Sequence, residues 1–78
     1  MQEWKQQGEY LQKLREARRI SRTQLARTIG VDPATIGRLE SGQHVRRRRF
    51  LETAYSLGLQ HFQLTGLLQE LEAEKILL

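Results

Sequence analysis

Residues 18–42 read RRISRTQLARTIGVDPATIGRLESG. Two short helices around a tight turn account for them. Ser21 is placed to accept from the backbone N–H of Gln24, and the Gln24 side chain to reach back, the reciprocal pattern of a capping box. Leu25, Ala26 and Ile29 then recur at helical spacing and define one apolar stripe. Gly30 ends this helix, because it takes the left-handed conformation without a steric penalty. Val31 follows as a small apolar plug. Asp32 suits an N-cap, and Pro33 suits the first helical position, where its missing N–H costs nothing. Ile36 and Leu39 face inward, Thr35 and Arg38 face elsewhere, and Gly42 closes the second helix. Helices joined by so short a turn cannot lie antiparallel. They cross steeply, and the second projects outward.

Outward from this pair the pattern stays helical. The spacing predicts a first helix over about 9–19 with Leu11 and Leu14 inward. A weaker turn around Trp4 precedes it, interrupted at Gly8. A fourth helix is expected from Arg47 to Leu57, with Phe50, Leu51, Ala54 and Leu57 buried and Gly58 as its cap. A fifth is expected over about 60–77, with Gly66 as a point where it can break. The reading is an all-α, compact five-helix fold over 1–78 as one domain, its core at about 9–65. No strand pattern, internal repeat or linker interrupts it.

The chain resembles the lambda-repressor-like family, the phage Cro and repressor group also called the xenobiotic-response-element type. The matching words are LREAR at 14–18, the pattern S-x-x-Q-L-A at 21–26, IGV at 29–31, TIGRLESG at 35–42 and SLGL at 56–59. They follow the family's order and nearly its spacing, over about 11–65. Two departures stand out: Arg22 replaces a common Gln after the Ser cap, and a run of arginines replaces a common Pro in a slightly short loop.

The resemblance implies a DNA-binding helix-turn-helix at helices two and three, with the second of these as the major-groove reader. Carried onto this chain, the reading positions are Pro33, Ala34, Thr35 and Arg38. Pro33 and Ala34 offer no side-chain hydrogen bond but can pack on a thymine methyl, while Arg38 can fork onto guanine O6 and N7. Ser21, Arg22, Thr23, Asp32, Gly37 and Ser41 join the expected DNA-facing set. Gly37 is costly in a helix interior by roughly 1 kcal/mol, and it would permit close approach to the duplex. The resemblance further implies a partly buried ion pair between Arg15 and Glu40, joining the first helix to the reader.

Charge supports a polyanionic partner. The net charge is +4, but it is unevenly spread. Residues 15–49 hold all ten arginines against Glu16, Asp32 and Glu40, a net +7; the remainder holds three lysines against six glutamates. Concentrated positive charge is the footprint of a phosphate-binding face. Arg46, Arg47, Arg48 and Arg49 crowd the start of a helix, the positive end of its dipole, at a cost of about 0.3–1 kcal/mol for a cation close to the terminus. A bound phosphate offsets this, so all four are expected at DNA.

Base readout this thin calls for two half-sites. Leu64, Leu67, Leu68, Leu71 and Leu78 form an apolar stripe on the C-terminal helix, larger than a lone small domain leaves wet, and homodimerisation through it is expected. The functions in view are a dimeric transcription regulator, most simply a repressor reading an inverted repeat, and a DNA-binding antitoxin or partner protein whose Leu-rich helix grips a different protein. No ligand domain is visible, so an effector would be another protein.

An enzyme is not expected. Glu70, Glu72 and Glu74 diverge around a helix, and no nucleophile set or phosphate loop is present. The absence of cysteine removes disulfide and cysteine-zinc frames; with two unclustered histidines neither metal nor cofactor is expected. Without a long apolar run or a signal pattern, the expected location is cytoplasmic, with no membrane partner.

Overall fold

Four helices make up the computed structural model, which describes the backbone of residues 2–77 and the side chains of 3–73. They are α1 (Gln2–Ala17), α2 (Arg22–Ile29), α3 (Pro33–Glu40) and α4 (Arg48–Leu77). The five expected helices are therefore four, because the fourth and fifth join through Gly58, and the first runs back through Gly8 to Gln2; both glycines are packing positions. At Gly8, α1 runs against the end of α3, and an added Cβ would meet the carbonyl oxygens of Glu40 and Leu39, the latter at 2.5 Å. At Gly58 an added Cβ would lie 2.6 Å from Leu25 Cδ1 and 2.9 Å from Ile29 Cγ2. Close approach of a neighbouring helix offsets the roughly 1 kcal/mol that glycine costs inside a helix. Gly66 does not break α4 either, and nothing lies within 4 Å of a Cβ placed there.

The turn chemistry fixes the α2–α3 crossing. Ser21 Oγ accepts from Gln24 N at 3.0 Å, and Gln24 Oε1 accepts from Ser21 N at 2.8 Å. Gly30 sits at φ 78, and its N–H donates to the Ala26 carbonyl at 2.8 Å. Asp32 then caps α3 by accepting from Ala34 N at 2.8 Å. At the far end the cap is Ser41, with Gly42 one residue beyond at φ 78. α1 ends differently: Arg19 takes a left-handed φ of 56, and the Ile20 N–H returns to the Arg15 carbonyl at 3.3 Å. This is a Schellman-type stop without glycine, and it buries Ile20.

Leu11, Ile20, Leu25, Ala26, Ile36, Leu39, Val45, Leu51, Tyr55 and Leu59 form the core, with Leu14, Ile29, Val31 and Phe62 packed against it. The inward face of α4 is thus Leu51, Tyr55, Leu59 and Phe62. Phe50 and Leu57, expected inside, are 63% and 58% exposed. α4 has apolar residues on two faces, and the expectation followed the outer one at its start. Past Phe62 every described side chain is exposed, so this half of α4 projects beyond the core. The molecule extends 53 Å along its long axis against 21 and 17 Å for the others, and the 30 residues of α4 alone amount to about 45 Å of helix. Among the described residues no helix is long and apolar enough to cross a membrane.

Candidate nucleic-acid interface

Glu40, the last residue of α3, is 1% exposed. A buried carboxylate is tolerable only when paired and hydrogen-bonded, and Glu40 has three partners. Arg15 of α1 donates through Nε to Oε2 at 2.7 Å and through a terminal nitrogen to Oε1 at 3.2 Å. Arg22 of α2 donates to Oε1 at 2.9 Å. Tyr55 of α4 donates its hydroxyl to Oε2 at 2.5 Å. All four helices therefore meet on one carboxylate. Arg15 also donates to the Ile20 carbonyl at 2.8 Å, so its fork is nearly filled.

These contacts set the charge states. Burial alone would raise the Glu40 carboxyl, but hydrogen bonds from Arg15, Tyr55 and Arg22 outweigh it and hold the group below the usual carboxylate range. The hydrogen bond to Glu40 pushes Arg15 further up, against the opposing effect of burial. Burial, then the hydrogen bond to Glu40, raises the Tyr55 phenol well above its ordinary value.

With its C-terminal end fixed, α3 turns its N-terminal half to solvent. Pro33 and Ala34 are exposed and Thr35 is half-buried. Arg38 is exposed and donates to Thr35 Oγ1 at 3.2 Å. That bond holds the guanidinium over the outer face of the helix. Gly37 is next to Arg22: an added Cβ would lie 3.7 Å from a terminal guanidinium nitrogen. Asp32, Ser21 and Thr23 lie exposed at the starts of α3 and α2. Ser41 is exposed, but its hydroxyl donates back to the Gly37 and Arg38 carbonyls, at 3.0 and 3.2 Å.

The arginine run divides. Arg46, Arg47 and Arg49 are exposed. Arg47 takes a left-handed φ of 53 and lies over the Phe50 ring at 4.4 Å. Arg48 is different, because its guanidinium turns inward. Its side chain is only 9% exposed. It donates to the Trp4 carbonyl at 2.9 Å and the Gln43 carbonyl at 3.3 Å, and lies 5.0 Å from the Trp4 ring centre. Glu52 Oε1 is 2.9 Å from Arg48 Nε, close enough for an ion pair but off the N–H direction, so that N–H makes no hydrogen bond. Arg48 ties the start of α1 to the start of α4.

Sequence reasoning missed Tyr55 and the second role of Arg22. Tyr55 had a visible signal: it lies four residues after Leu51 and carries the one polar atom on that face. Arg22 had none, since its bond to Glu40 depends on how α2 crosses α3.

Of the stripe residues, Leu64, Leu67, Leu68 and Leu71 are 51–58% exposed. Leu78 lies outside the described residues.

Residues 6–57, 52 of the 78, match a family model described as a helix-turn-helix domain. The chain belongs to that family, in keeping with its likeness to the lambda-repressor-like group. Such domains are DNA-binding and typically non-enzymatic. No curated protein and no solved structure matches the chain.

Proposed function

We propose that this chain is a sequence-specific regulator of transcription that binds double-stranded DNA as a homodimer, most simply a repressor reading an inverted repeat. Residues 1–78 act as one unit. α3 is the reader, with Pro33, Ala34, Thr35 and Arg38 at base edges. Ser21, Arg22, Thr23, Asp32, Gly37, Ser41, Arg46, Arg47 and Arg49 line the duplex and position it. The observation that carries this reading is the outer face of α3: small side chains and one exposed arginine, on a helix whose other end is anchored, flanked by exposed cations. Small side chains allow backbone and groove to approach, and arginine supplies the donor pair that guanine matches.

Binding is expected to weaken steeply with salt, log K falling by about 0.9 per phosphate neutralised for each unit of log salt. In Arg46→Ala, Arg47→Asn, Arg49→Ala together, with Arg48 left in place, affinity should drop on cognate and random DNA alike and the slope should flatten by two to three phosphates' worth, about 2–3. Asparagine at 47 tolerates the left-handed backbone. Fluorescence titration across a salt series measures both quantities. An unchanged slope removes the loop from the interface.

Arg38 has a different expected signature. Arg38→Ala should cost roughly 1–3 kcal/mol on the preferred site and relax preference at one base pair per half-site, with a smaller loss on random sequence. Selection from a random DNA pool, run on both proteins, reads this directly. Equal losses on all sequences would make Arg38 a phosphate contact.

The exposed Leu64–Leu71 stripe is compatible with a heteromeric partner as well. Sedimentation of the isolated chain separates the two: a stable symmetric dimer supports the regulator, and a monomer or aggregate made soluble by another protein supports the antitoxin-like reading.

A further inference from the structure

The outer face of α4 repeats every seven residues from Phe50 to Leu71. Phe50, Leu57, Leu64 and Leu71 fall seven apart, and Ala54, His61 and Leu68 fall seven apart between them. The four positions of the first set are 63%, 58%, 58% and 55% exposed, and Leu68 is 53% exposed. A helix covering one core needs a single apolar stripe, and the Leu51, Tyr55, Leu59 and Phe62 face already supplies it. A second stripe with a sustained heptad is the seam of a two-helix coiled coil. The seam begins on the globular part of the molecule, where Thr28 and Ile29 at the end of α2 form the other wall of a groove along Phe50, Ala54 and Leu57. Residues beyond 57 lie outside the span matched by the family model.

We propose that this groove and the stripe that continues from it receive α4 of a second copy, running antiparallel. The proposal rests on the dimer reading above and adds to it the extent, direction and register of the seam. Charge sets the direction. α4 starts in the Arg46–Arg49 run and carries Glu70 and Glu72 toward its other end. Parallel copies would set cations beside cations and carboxylates beside carboxylates. Antiparallel copies set the acidic end of each beside the basic start of the other, and their helix dipoles oppose.

Side-chain size sets the register. In an antiparallel coil the two heptad sets pack against each other, which places His61 opposite Leu64 of the other copy, Leu57 opposite Leu68, and Ala54 opposite Leu71. The smallest residue of the seam then meets a leucine beside the α2 wall. A parallel coil instead faces Ala54 with Ala54, leaving a gap, and His61 with His61.

The chain has no cysteine, so introduced thiols report the seam directly. Leu57→Cys and Leu68→Cys chains, refolded together and mildly oxidised, are expected to give a disulfide-linked dimer that neither chain gives alone. Ala54→Cys with Leu71→Cys repeats the test at the next layer. A linked dimer from Leu57→Cys alone overturns the antiparallel arrangement while keeping the dimer. A parent chain that sediments as a dimer while neither mixed pair links places the seam elsewhere and overturns the proposal. A parent chain that sediments as a monomer overturns the dimer reading itself.

Discussion

Arg15→Ala is expected to destabilise the fold by roughly 3–5 kcal/mol, the range for removing one partner of a buried ion pair. Glu40 stays 1% exposed in that variant unless the helices part. Arg22 and Tyr55 still reach it, which favours the lower end of the range. Arg22 contributes little of this, because its side chain is 48% exposed and solvent screens it. For a domain of this size each kcal/mol moves Tm by about 4–8 °C, so a drop of at least about 12 °C should be seen by circular dichroism. Combining Arg15→Ala with Glu40→Gln removes the uncompensated charge and should recover part of the loss. A drop of only a few degrees in the single variant would mean that Tyr55 and Arg22 suffice to hold the carboxylate.

The same carboxylate predicts the shape of stability against pH. Glu40 has a depressed folded pKa, so its contribution is fully present above the unfolded glutamate value, about 4.3, and is lost as pH falls through the lower folded value. Tyr55 has a raised folded pKa, so its contribution is present below the unfolded tyrosine value, about 10, and fades as pH rises beyond it. Denaturant midpoints should therefore form a plateau between these limits. Glu40→Gln should lose most of the acid limb contributed by this site.

What the sequence made legible were the features encoded locally. The Ser21–Gln24 box, Gly30 and Asp32–Pro33 are short-range signals, each readable from two to four neighbouring residues. They place α2, the turn and α3, and hence the outer face that holds Thr35 and Arg38. Long-range facts were harder. Gly8 and Gly58 look like breaks until the helix that crosses them is known. Phe50 and Leu57 look like core because any apolar residue at helical spacing does. Leu51 reads as core and is core, but packing decides that the inner face runs on through Tyr55 and Leu59 and not through Leu57. Arg48 cannot be told from its neighbours in sequence, since all four are arginine. The backbone carbonyls of Trp4 and Gln43 single it out.

Leu71→Glu is expected to have the largest effect on DNA binding of any change outside the helix-turn-helix. Leu71 is 55% exposed in the single chain, so a carboxylate there costs the isolated fold little. In the antiparallel seam it buries one carboxylate in the apolar layer at each end, opposite Ala54 of the other copy, and the dimer should dissociate at micromolar concentration. α1, α2, α3 and the core-facing half of α4 should remain helical. The half beyond Phe62 should lose helicity, because a stretch of about 12–15 residues without tertiary contacts is marginal in water. A single helix-turn-helix then reads one half-site. The second binding event is no longer intramolecular, so affinity for an inverted repeat with half-site centres about 10 base pairs apart should fall by about 10²–10⁴. Affinity for an isolated half-site should change little. Sedimentation of Leu71→Glu, with titration on the full repeat and on one half-site, separates the two effects. A variant that remains dimeric would place the interface elsewhere. A monomer that keeps full affinity for the repeat would show that one chain reads the site alone, and the exposed stripe would then serve a partner other than a second copy.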